Sequence, residues 1–298
     1  MQDNSKKLNF VFWGTPDVAS ETLEILKSAG YIPSLIVTAP DRPQGRKMVI
    51  TPPPAKVWAM ENNIPYIQPE KLKEELGDIF AISSQADEPR KAILHQQDMR
   101  VSKNIPELFL VVAYGKIIPE NILKLPKLGS INLHYSLLPK YRGASPVESA
   151  ILNGDTETGV TIQQMEFKMD SGPIIAIDKT EIMPDEKSPE LRKRLIKLGG
   201  ELLVKTLPEF IAGTIKTTRQ DETKATYCTK IKKEDGLIDL SDDSVKNYNK
   251  FRAYATWPRT YFFKDGKRII ITKAKLENNQ FIIEKIIPEG GKEMDYKN

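Results

Sequence analysis

Three polar residues are of types that could stabilise a negatively charged oxygen and move a proton. Asn132 and His134 lie two positions apart in a segment with the alternating pattern of a β-strand. Because side chains two apart in a strand project to the same face, the amide and the imidazole are predicted to enter one space. Asp170 lies in a predicted turn between two further strands, residues 159–165 and 173–177. Together, an amide donor, a ring and a carboxylate suit stabilisation of an oxyanion and proton transfer.

The same residues also have an ordinary structural interpretation. A core strand can carry two hydrogen-bonded polar side chains, and an aspartate before Ser-Gly is common in turns. For an isolated Asn-x-His pair this interpretation is favoured. The polar, glycine-containing loop that follows, residues 135–144, favours a chemical role instead.

The histidine and cysteine content narrows the chemistry. The chain contains two histidines and one cysteine, Cys228, which excludes an internal disulfide, a multi-cysteine metal site and a typical histidine zinc site. No serine or cysteine stands in a recognisable nucleophile motif. The remaining possibility is polar catalysis without a covalent enzyme intermediate, such as acyl-type transfer from a carbonyl donor to an amine. We expect no metal.

The elements predicted around these residues form a doubly wound, Rossmann-like α/β sheet. The chain begins with a strand, a helix and a second strand, residues 8–13, 17–29 and 32–38. This β-α-β order favours parallel pairing, and the apolar run at 108–113 is typical of a strand covered on both faces. Ligands bind beyond the carboxyl ends of such strands. Residues 113–115 and 134–136 are therefore predicted to line one crevice.

The C-terminal part has a different pattern. After a long amphipathic helix, residues 189–211, a polar, threonine-rich linker leads to short strands with a hairpin signal at Asp265-Gly266. We predict two domains, residues 1–211 and an OB-like β-barrel at 212–298. The second carries 18 Lys and Arg against 13 Asp and Glu, so the chain's net charge of +4 originates there. This excess suggests an anionic partner such as nucleic acid, although a lysine-rich surface is the commoner cause.

Two further segments stand out. Residues 40–54 contain five prolines, one glycine and three basic residues, which disfavours regular structure over most of the segment. Such a loop is either a solvated surface loop or a contact for phosphate or RNA, and the residues leave both interpretations open. Residues 77–105 have no clear pattern and no assignable role.

The bulk composition is that of an ordinary globular protein, with 40% hydrophobic and 28% charged residues. The sequence shows neither a signal-peptide core nor an apolar stretch long enough to span a membrane. We expect a cytoplasmic monomer, since a single cysteine suits a reducing compartment.

The region around the polar pair resembles the signature of the folate-dependent formyltransferases. That signature here is Asn132-x-His134-x-Ser136-Leu137-Leu138-Pro139 followed by Tyr141-Arg142-Gly143. The family's second motif is similar to Gly159-Val160-Thr161 with Asp170-Ser171-Gly172. The order and spacing match, and so long a compound motif is highly specific.

The resemblance is strongest to those members of the family that act on methionyl-tRNA, and it covers nearly the whole chain. Their first turn resembles Gly14-Thr15-Pro16, and their tRNA-contacting loop resembles Asp41-Arg42-Pro43-x-Gly45-Arg46. Their C-terminal domain resembles the segments Lys230-Ile231-Lys232-Lys233-Glu234, Arg252-Ala253 and Trp257-Pro258.

The resemblance implies formyl transfer from 10-formyltetrahydrofolate to the amino group of initiator methionyl-tRNA. It implies a catalytic role for Asn132, His134 and Asp170. It implies folate contacts for Ala113, Tyr114, Gly115, Ser136, Leu137, Leu138 and Pro139. The tRNA contacts expected from the basic loop and the C-terminal domain are Arg42, Arg46, Lys47, Lys230 and Lys233.

Two rival functions keep the same residues. A sugar-nucleotide formyltransferase would explain the catalytic trio but not the basic loop or the charged C-terminal domain. An RNA-binding protein without catalysis would bind tRNA with no turnover, and the intact trio argues against it.

Overall fold

The computed structural model describes residues 8–45, 47–72 and 105–297. Its central sheet has seven strands: β1 (Phe10–Gly14), β2 (Leu35–Val37), β5 (Tyr66–Ile67), β6 (Leu108–Val112), β7 (Ser130–His134), β9 (Glu157–Gln164) and β10 (Ile174–Glu181). The remaining strands are β3 (Arg42–Gln44), β4 (Val49–Thr51), β8 (Arg142–Gly143), β11 (Tyr227–Cys228), β12 (Tyr261–Lys264), β13 (Lys267–Glu277), β14 (Gln280–Pro288) and β15 (Met294–Asp295). The helices are α1 (Asp17–Ser28), α2 (Pro54–Glu61), α3 (Glu120–Leu123), α4 (Pro146–Leu152), α5 (Ser188–Ile211) and α6 (Ser244–Ala253).

The strand order β10-β9-β7-β6-β1-β2-β5 confirms the predicted α/β sheet. The pairs β1–β2, β1–β6, β2–β5 and β6–β7 are parallel, whereas β9 runs antiparallel to β7. The chain starts at the centre and adds strands on both sides, as in a doubly wound fold. The sheet is mixed, because β7 is followed by an antiparallel neighbour.

Apolar residues cover both faces of the central strands. In β1, Val11 and Trp13 point into a cluster with Phe109 and Val111 of β6. The alternate residues Phe10 and Phe12 are also buried, at 1% and 0% exposure. Side chains alternate along a strand, so a continuous apolar run must be covered on both sides.

The segment 40–54 is more regular than predicted. It forms a two-stranded antiparallel hairpin, β3–β4, with Arg42 opposite Thr51 and Gln44 opposite Val49. The prediction of an irregular loop was wrong for its strands, because a proline is tolerated in an edge strand, where its missing N–H is not needed by a neighbour. Residues 77–104, for which no role was predicted, lie outside the described residues.

The C-terminal part is an antiparallel sheet of order β12-β13-β14-β15. Asp265 and Gly266 form the predicted two-residue hairpin, both with positive φ (51° and 73°), as a type I′ turn requires. The ring of Phe262 meets that of Tyr296 beyond the last strand, at 5.9 Å between centroids. Helix α6, which the sequence analysis missed, packs Tyr248 and Phe251 into this core.

The chain divides into two compact units, each built from several stretches. The first consists of Met1–His134, Thr161–Ala176 and Gly199–Gln220. The second consists of Tyr135–Val160, Ile177–Leu198 and Asp221–Asn298. The domain boundary at 211/212 stays a prediction. Within the described residues, none of the helices combines the length and apolar character that a membrane crossing needs.

Candidate active site

Neighbouring strands bring the predicted catalytic residues together in the first unit. In the antiparallel pair β7–β9, Asn132 lies opposite Gln163 and His134 lies opposite Thr161. Residues directly opposite each other project to the same face, so these four side chains share one patch. Asp170 reaches the patch from the turn that follows β9.

The Asp170 carboxylate is the centre of this trio. Its Oδ2 lies 3.7 Å from Nδ1 of His134, within ion-pair distance when the imidazole is protonated. Its Oδ1 lies 3.5 Å from Nδ2 of Asn132, at the limit of a hydrogen bond. The side chains of His134 and Asp170 are only 6% and 13% exposed. Polar interactions at such a site are stronger than in water.

A tight turn presents Asp170 to the trio. Asp170 has a φ of 51°, in the left-handed region that aspartate tolerates better than most residues. The turn is closed by the Gln164 amide, which donates to the Pro173 carbonyl at 2.9 Å. A Cβ at Gly172 would lie 1.8 Å from the Gln164 carbonyl oxygen. Only glycine fits at this position without moving the backbone.

Two glutamines complete the patch, and sequence analysis did not identify them. Gln163 donates from Nε2 to Oδ1 of Asp170 at 2.9 Å. Gln220 donates to the carbonyl oxygens of Asp170 and Gly172, at 2.9 and 2.7 Å. Alternation along β9 could have placed Gln163 on the patch if the register with β7 had been known. Nothing in the local sequence connects Gln220 with it.

The segment predicted to line a folate pocket follows β6. Ala113 and Gly115 turn the chain with φ values of 49° and 81°, and both are exposed. The Tyr114 ring is 3% exposed and packs edge-on against Trp13, with centroids 5.2 Å apart. Its carbonyl accepts a hydrogen bond from the Thr15 hydroxyl at 3.0 Å. The Tyr114 side chain thus belongs to the core, which limits its predicted ligand contact to the backbone.

The segment 136–139, in the second unit, has two kinds of side chain. Ser136 is buried and donates from its hydroxyl to the Lys140 carbonyl at 2.6 Å, and Leu138 is 4% exposed. Both stabilise the loop itself. Leu137 and Pro139 instead line a cavity of about 670 Å³. The cavity is also lined by Lys140, Tyr141, Asp155, Thr156, Glu157, Thr158, Lys179, Thr223, Lys224, Ala225 and Thr226.

The predicted tRNA-contacting residues of the hairpin are exposed where the structure describes them. Arg42 lies at its start and forms an ion pair with Glu70 at 2.7 Å, with both side chains more than half exposed. Lys47 is exposed at the tip. Arg46 lies outside the described residues. The neighbouring Met48, Val49 and Ile50 are 66%, 58% and 62% exposed, an unusual amount of apolar surface for a short hairpin.

A charged hydrogen-bond network anchors the base of the hairpin. Asp41 accepts from Gln68 at 2.7 Å and from Lys56 at 2.7 and 2.9 Å. These hydrogen bonds, first that of Gln68 and then that of Lys56, lower the pKa of Asp41 below its ordinary value of 3.8. The charged form of Asp41 is therefore bound more strongly in the folded protein than in the unfolded chain.

Asp41→Asn is expected to lower the free energy of unfolding at neutral pH by about 1 kcal/mol. Because the folded-state pKa of Asp41 is depressed, its contribution is present above the unfolded pKa and lost as the pH falls through the folded pKa. Urea unfolding of wild type and variant should show a difference at neutral pH that shrinks progressively as the pH falls below the unfolded pKa. Lys56→Gln serves as the control. Because the two side chains interact, the free energy of unfolding lost in the double variant should be less than the sum of the two single losses. A difference independent of pH would contradict the electrostatic origin.

The C-terminal lysines predicted to contact tRNA lie on the surface of the second unit. Lys230 and Lys233 are both exposed, and Lys233 begins a 3₁₀ turn that ends at Gly236. Their position permits contact with an anionic partner, and their role stays a prediction. Among residues 8–45, 47–72 and 105–297, no three His, Cys, Asp or Glu side chains gather in a way that could hold a metal ion.

Comparison with protein families decides the family of the chain. Residues 6–207 match the model described as formyl transferase, and residues 230–292 match that of the formyl transferase C-terminal domain. The first match alone covers more than half of the chain. The chain belongs to the formyl transferase family. The resemblance inferred from the sequence motifs is confirmed.

The formyl transferases similar in sequence include several methionyl-tRNA formyltransferases. That of Lysinibacillus sphaericus (strain C3-41) is 40% identical over 261 residues, covering 87% of this chain and 76% of the relative. Those of Geobacter sulfurreducens and Staphylococcus aureus (strain MW2) are each 38% identical, over 262 and 276 residues. These matches cover 88% and 92% of this chain, and 76% and 81% of the relatives.

Solved formyltransferase structures share the fold. An N-formyltransferase from Helicobacter canadensis, in complex with folinic acid and dTDP-3-aminofucose, has a TM-score of 0.64 at 19% identity and covers 98% of this chain and 100% of its own. Methionyl-tRNA formyltransferase from Clostridium thermocellum has a TM-score of 0.59 at 15% identity, with coverages of 97% and 100%. At these identities the similarity concerns the fold alone.

Proposed function

We propose that this formyl transferase moves the formyl group of 10-formyltetrahydrofolate to the amino group of initiator methionyl-tRNA. The observation that carries the proposal is the 38–40% identity, over about nine-tenths of the chain, to relatives named for that reaction. The amide, imidazole and carboxylate that meet at the β7–β9 patch supply groups such a transfer needs.

The chemistry assigned to the trio is the stabilisation of negative charge on the formyl oxygen. When the neutral amine attacks the formyl carbon, that oxygen becomes negative, and Asn132 donates to it from its amide. One such donor typically contributes about 2.7–4 kcal/mol to the lowering of the barrier. His134 donates to the same oxygen or takes up the proton that the amine releases. Asp170 orients His134 and assists the movement of that proton to N10 of the folate; the oxyanion then re-forms the carbonyl, the bond between N10 and the formyl carbon breaks, and tetrahydrofolate leaves.

The residues on the second unit are compatible with a folate-sized ligand. Folate supplies the formyl group as a co-substrate. The cavity of about 670 Å³ beside Leu137 and Pro139 falls within the usual range for small-molecule sites. Leu137 and Pro139 line this cavity, and we propose them as folate contacts. Ala113 and Gly115, which are exposed in the first unit and do not line the cavity, stay predicted folate contacts.

The exposed residues of the hairpin and the C-terminal lysines support methionyl-tRNA as the proposed acceptor. Arg42 and Lys47 are exposed and can attract the phosphates of a nucleic acid. The exposed apolar residues 48–50 at the tip of the hairpin offer a surface that bases can contact. We propose Arg42, Arg46, Lys47, Lys230 and Lys233 as tRNA contacts.

A direct assay tests the function. The purified chain is incubated with 10-formyltetrahydrofolate and either methionylated initiator tRNA or an amino-sugar nucleotide, and formylated product is measured by mass spectrometry. We expect turnover with the tRNA only. Turnover with the amino sugar alone would assign the rival transferase function. Tight tRNA binding without turnover would assign a binding protein.

Replacing Arg42 with alanine is expected to raise KM for methionyl-tRNA about tenfold and leave kcat within a factor of about two, because a phosphate contact positions the acceptor outside the reacting centre. The slope of log affinity against log salt should fall by about one unit. The matched control is Lys124→Ala, which removes an exposed lysine whose ion pair with Glu120, at 2.6 Å, resembles that of Arg42 with Glu70. Equal KM values for the two variants would remove Arg42 from the interface.

A further inference from the structure

We propose that Gln163 and Gln220 act as positioning residues that fix the Asp170 carboxylate and keep the Asn132 amide available for the reacting oxygen. The proposal deepens the formyl-transfer mechanism and rests on the roles assigned above to the trio. Its basis is a chain of hydrogen bonds inside the first unit. We name these two side chains the glutamine clamp.

The first link is the contact between Gln163 and Asp170. Gln163 is 1% exposed, and its Nε2 lies 2.9 Å from Oδ1 of Asp170. An ionised carboxylate only accepts hydrogen bonds, which assigns the NH2 group of Gln163 to this side. The Gln163 carbonyl oxygen then points to Nε2 of Gln220, at 3.4 Å.

The second link holds the backbone of the Asp170 turn. Gln220, 9% exposed, directs Nε2 at the carbonyl oxygens of Asp170 and Gly172, at 2.9 and 2.7 Å. These two short bonds use both of its amide hydrogens, so the 3.4 Å approach to Gln163 is weaker. The neighbouring Thr218 pairs with Ile174 through two backbone hydrogen bonds of 2.8 Å, which fixes the irregular segment that carries Gln220.

The clamp orients a residue whose backbone conformation is unfavourable. Asp170 has positive φ, so the turn needs external hydrogen bonds to hold it in a single geometry. With Oδ1 occupied by Gln163, the other carboxylate oxygen faces His134. Two buried amides therefore define both the position and the rotation of the carboxylate.

The clamp also protects the function of Asn132. The Asn132 amide nitrogen is 3.5 Å from Oδ1 of Asp170, while Gln163 holds the same oxygen at 2.9 Å. If the Gln163 donor is removed, Asn132 is the adjacent donor that can replace it. A tightened Asn132–Asp170 hydrogen bond would compete with donation to the formyl oxygen, so Gln163 acts on the transition state without touching it.

Kinetics of Gln163→Met test this role, because methionine has a similar length and lacks the amide. We expect kcat for formyl transfer to fall about 10- to 100-fold, with KM for both substrates changed less than about threefold, as for loss of a transition-state interaction. Gln164→Met, the same change one position along β9 and therefore on its opposite face, should retain kcat. An equal fall in both variants would overturn the clamp.

A double-variant cycle separates positioning from simple packing. In an Asp170→Asn background, measured by single-turnover kinetics, Gln163→Met should change the rate less than about twofold, because its effect passes through the carboxylate. The same fold-loss in both backgrounds would show that Gln163 only supports the local structure, and would overturn the proposal.

A readout without substrate separates failure of the clamp from failure of the proposed function. The chain has only two histidines, so carbon-13 NMR of labelled histidine gives two ring signals, and His95→Gln assigns that of His134. Gln163→Met should shift the His134 signal and Gln164→Met should leave it in place. A wild type that does not formylate methionyl-tRNA refutes the proposed acceptor, whereas an unmoved His134 signal refutes the clamp whatever the substrate.

Discussion

His134→Ala is expected to lower kcat for formyl transfer by about 10²–10⁴-fold, the range associated with a positioned acid–base group. The imidazole faces the Asp170 carboxylate at 3.7 Å, and the His134 side chain is only 6% exposed. The measurement is single-turnover formylation of methionyl-tRNA at saturating folate donor. Undiminished turnover would remove His134 from the mechanism.

A second variant at the same position separates the two possible roles of the imidazole. His134→Gln retains a hydrogen-bond donor but cannot carry a proton. If stabilisation of the oxyanion dominates, Gln should recover at least about tenfold of the rate lost in Ala, as expected for one such donor. If proton transfer dominates, both variants should lose similar activity. Melting temperatures close to that of the wild type exclude a general loss of fold as the cause.

The position of Asn132 and His134 on one face was predictable because strand alternation is local. Two residues two apart in a five-residue strand must point together, whatever lies next to the strand. The convergence of Asp170 was not local. It depends on the register that places Asn132 opposite Gln163, and on a turn with positive φ. Residue chemistry and the motif resemblance could suggest Asp170 as the third member, but no local pattern could show that it meets the pair.

Gln220 illustrates what sequence reasoning could not reach. It lies 50 positions after Asp170 in a segment predicted to be a linker, yet it donates to the Asp170 turn. Its amide has no strand or helix periodicity around it to indicate a burial direction. The contact arises because the segment pairs with β10 through Thr218, a tertiary event with no local signal.

The prediction of an irregular loop over residues 40–54 was wrong for its strands for a different reason. Five prolines disfavour regular structure, but a two-stranded ribbon has two outer edges where a proline costs no ladder hydrogen bond. Pro43 occupies such a place opposite Ile50. The prediction of Asp265-Gly266 succeeded because that dipeptide directly satisfies the positive φ values of its turn.

Gly172→Ala is expected to lower the free energy of unfolding by about 3 kcal/mol, because overpacking of a backbone contact forces the chain to move. The added Cβ would lie 1.8 Å from the Gln164 carbonyl oxygen, and neither backbone segment can rotate away as a side chain would. The measurement is urea unfolding at neutral pH. Ser171→Ala is the control, since it removes a hydroxyl bond of 2.9 Å to the Lys168 carbonyl and should cost about 1 kcal/mol.

The same substitution should also reduce formyl transfer, by about 10²-fold or more, under conditions where the variant remains folded. Gln220 binds the Gly172 and Asp170 carbonyls together, so displacement of one moves the other and with it the carboxylate that faces His134. Ser171→Ala leaves both carbonyls in place and should retain most activity. A stable Gly172→Ala variant with normal kcat would show that the turn is more adaptable than its contacts indicate, and that the orientation of Asp170 does not depend on this backbone approach.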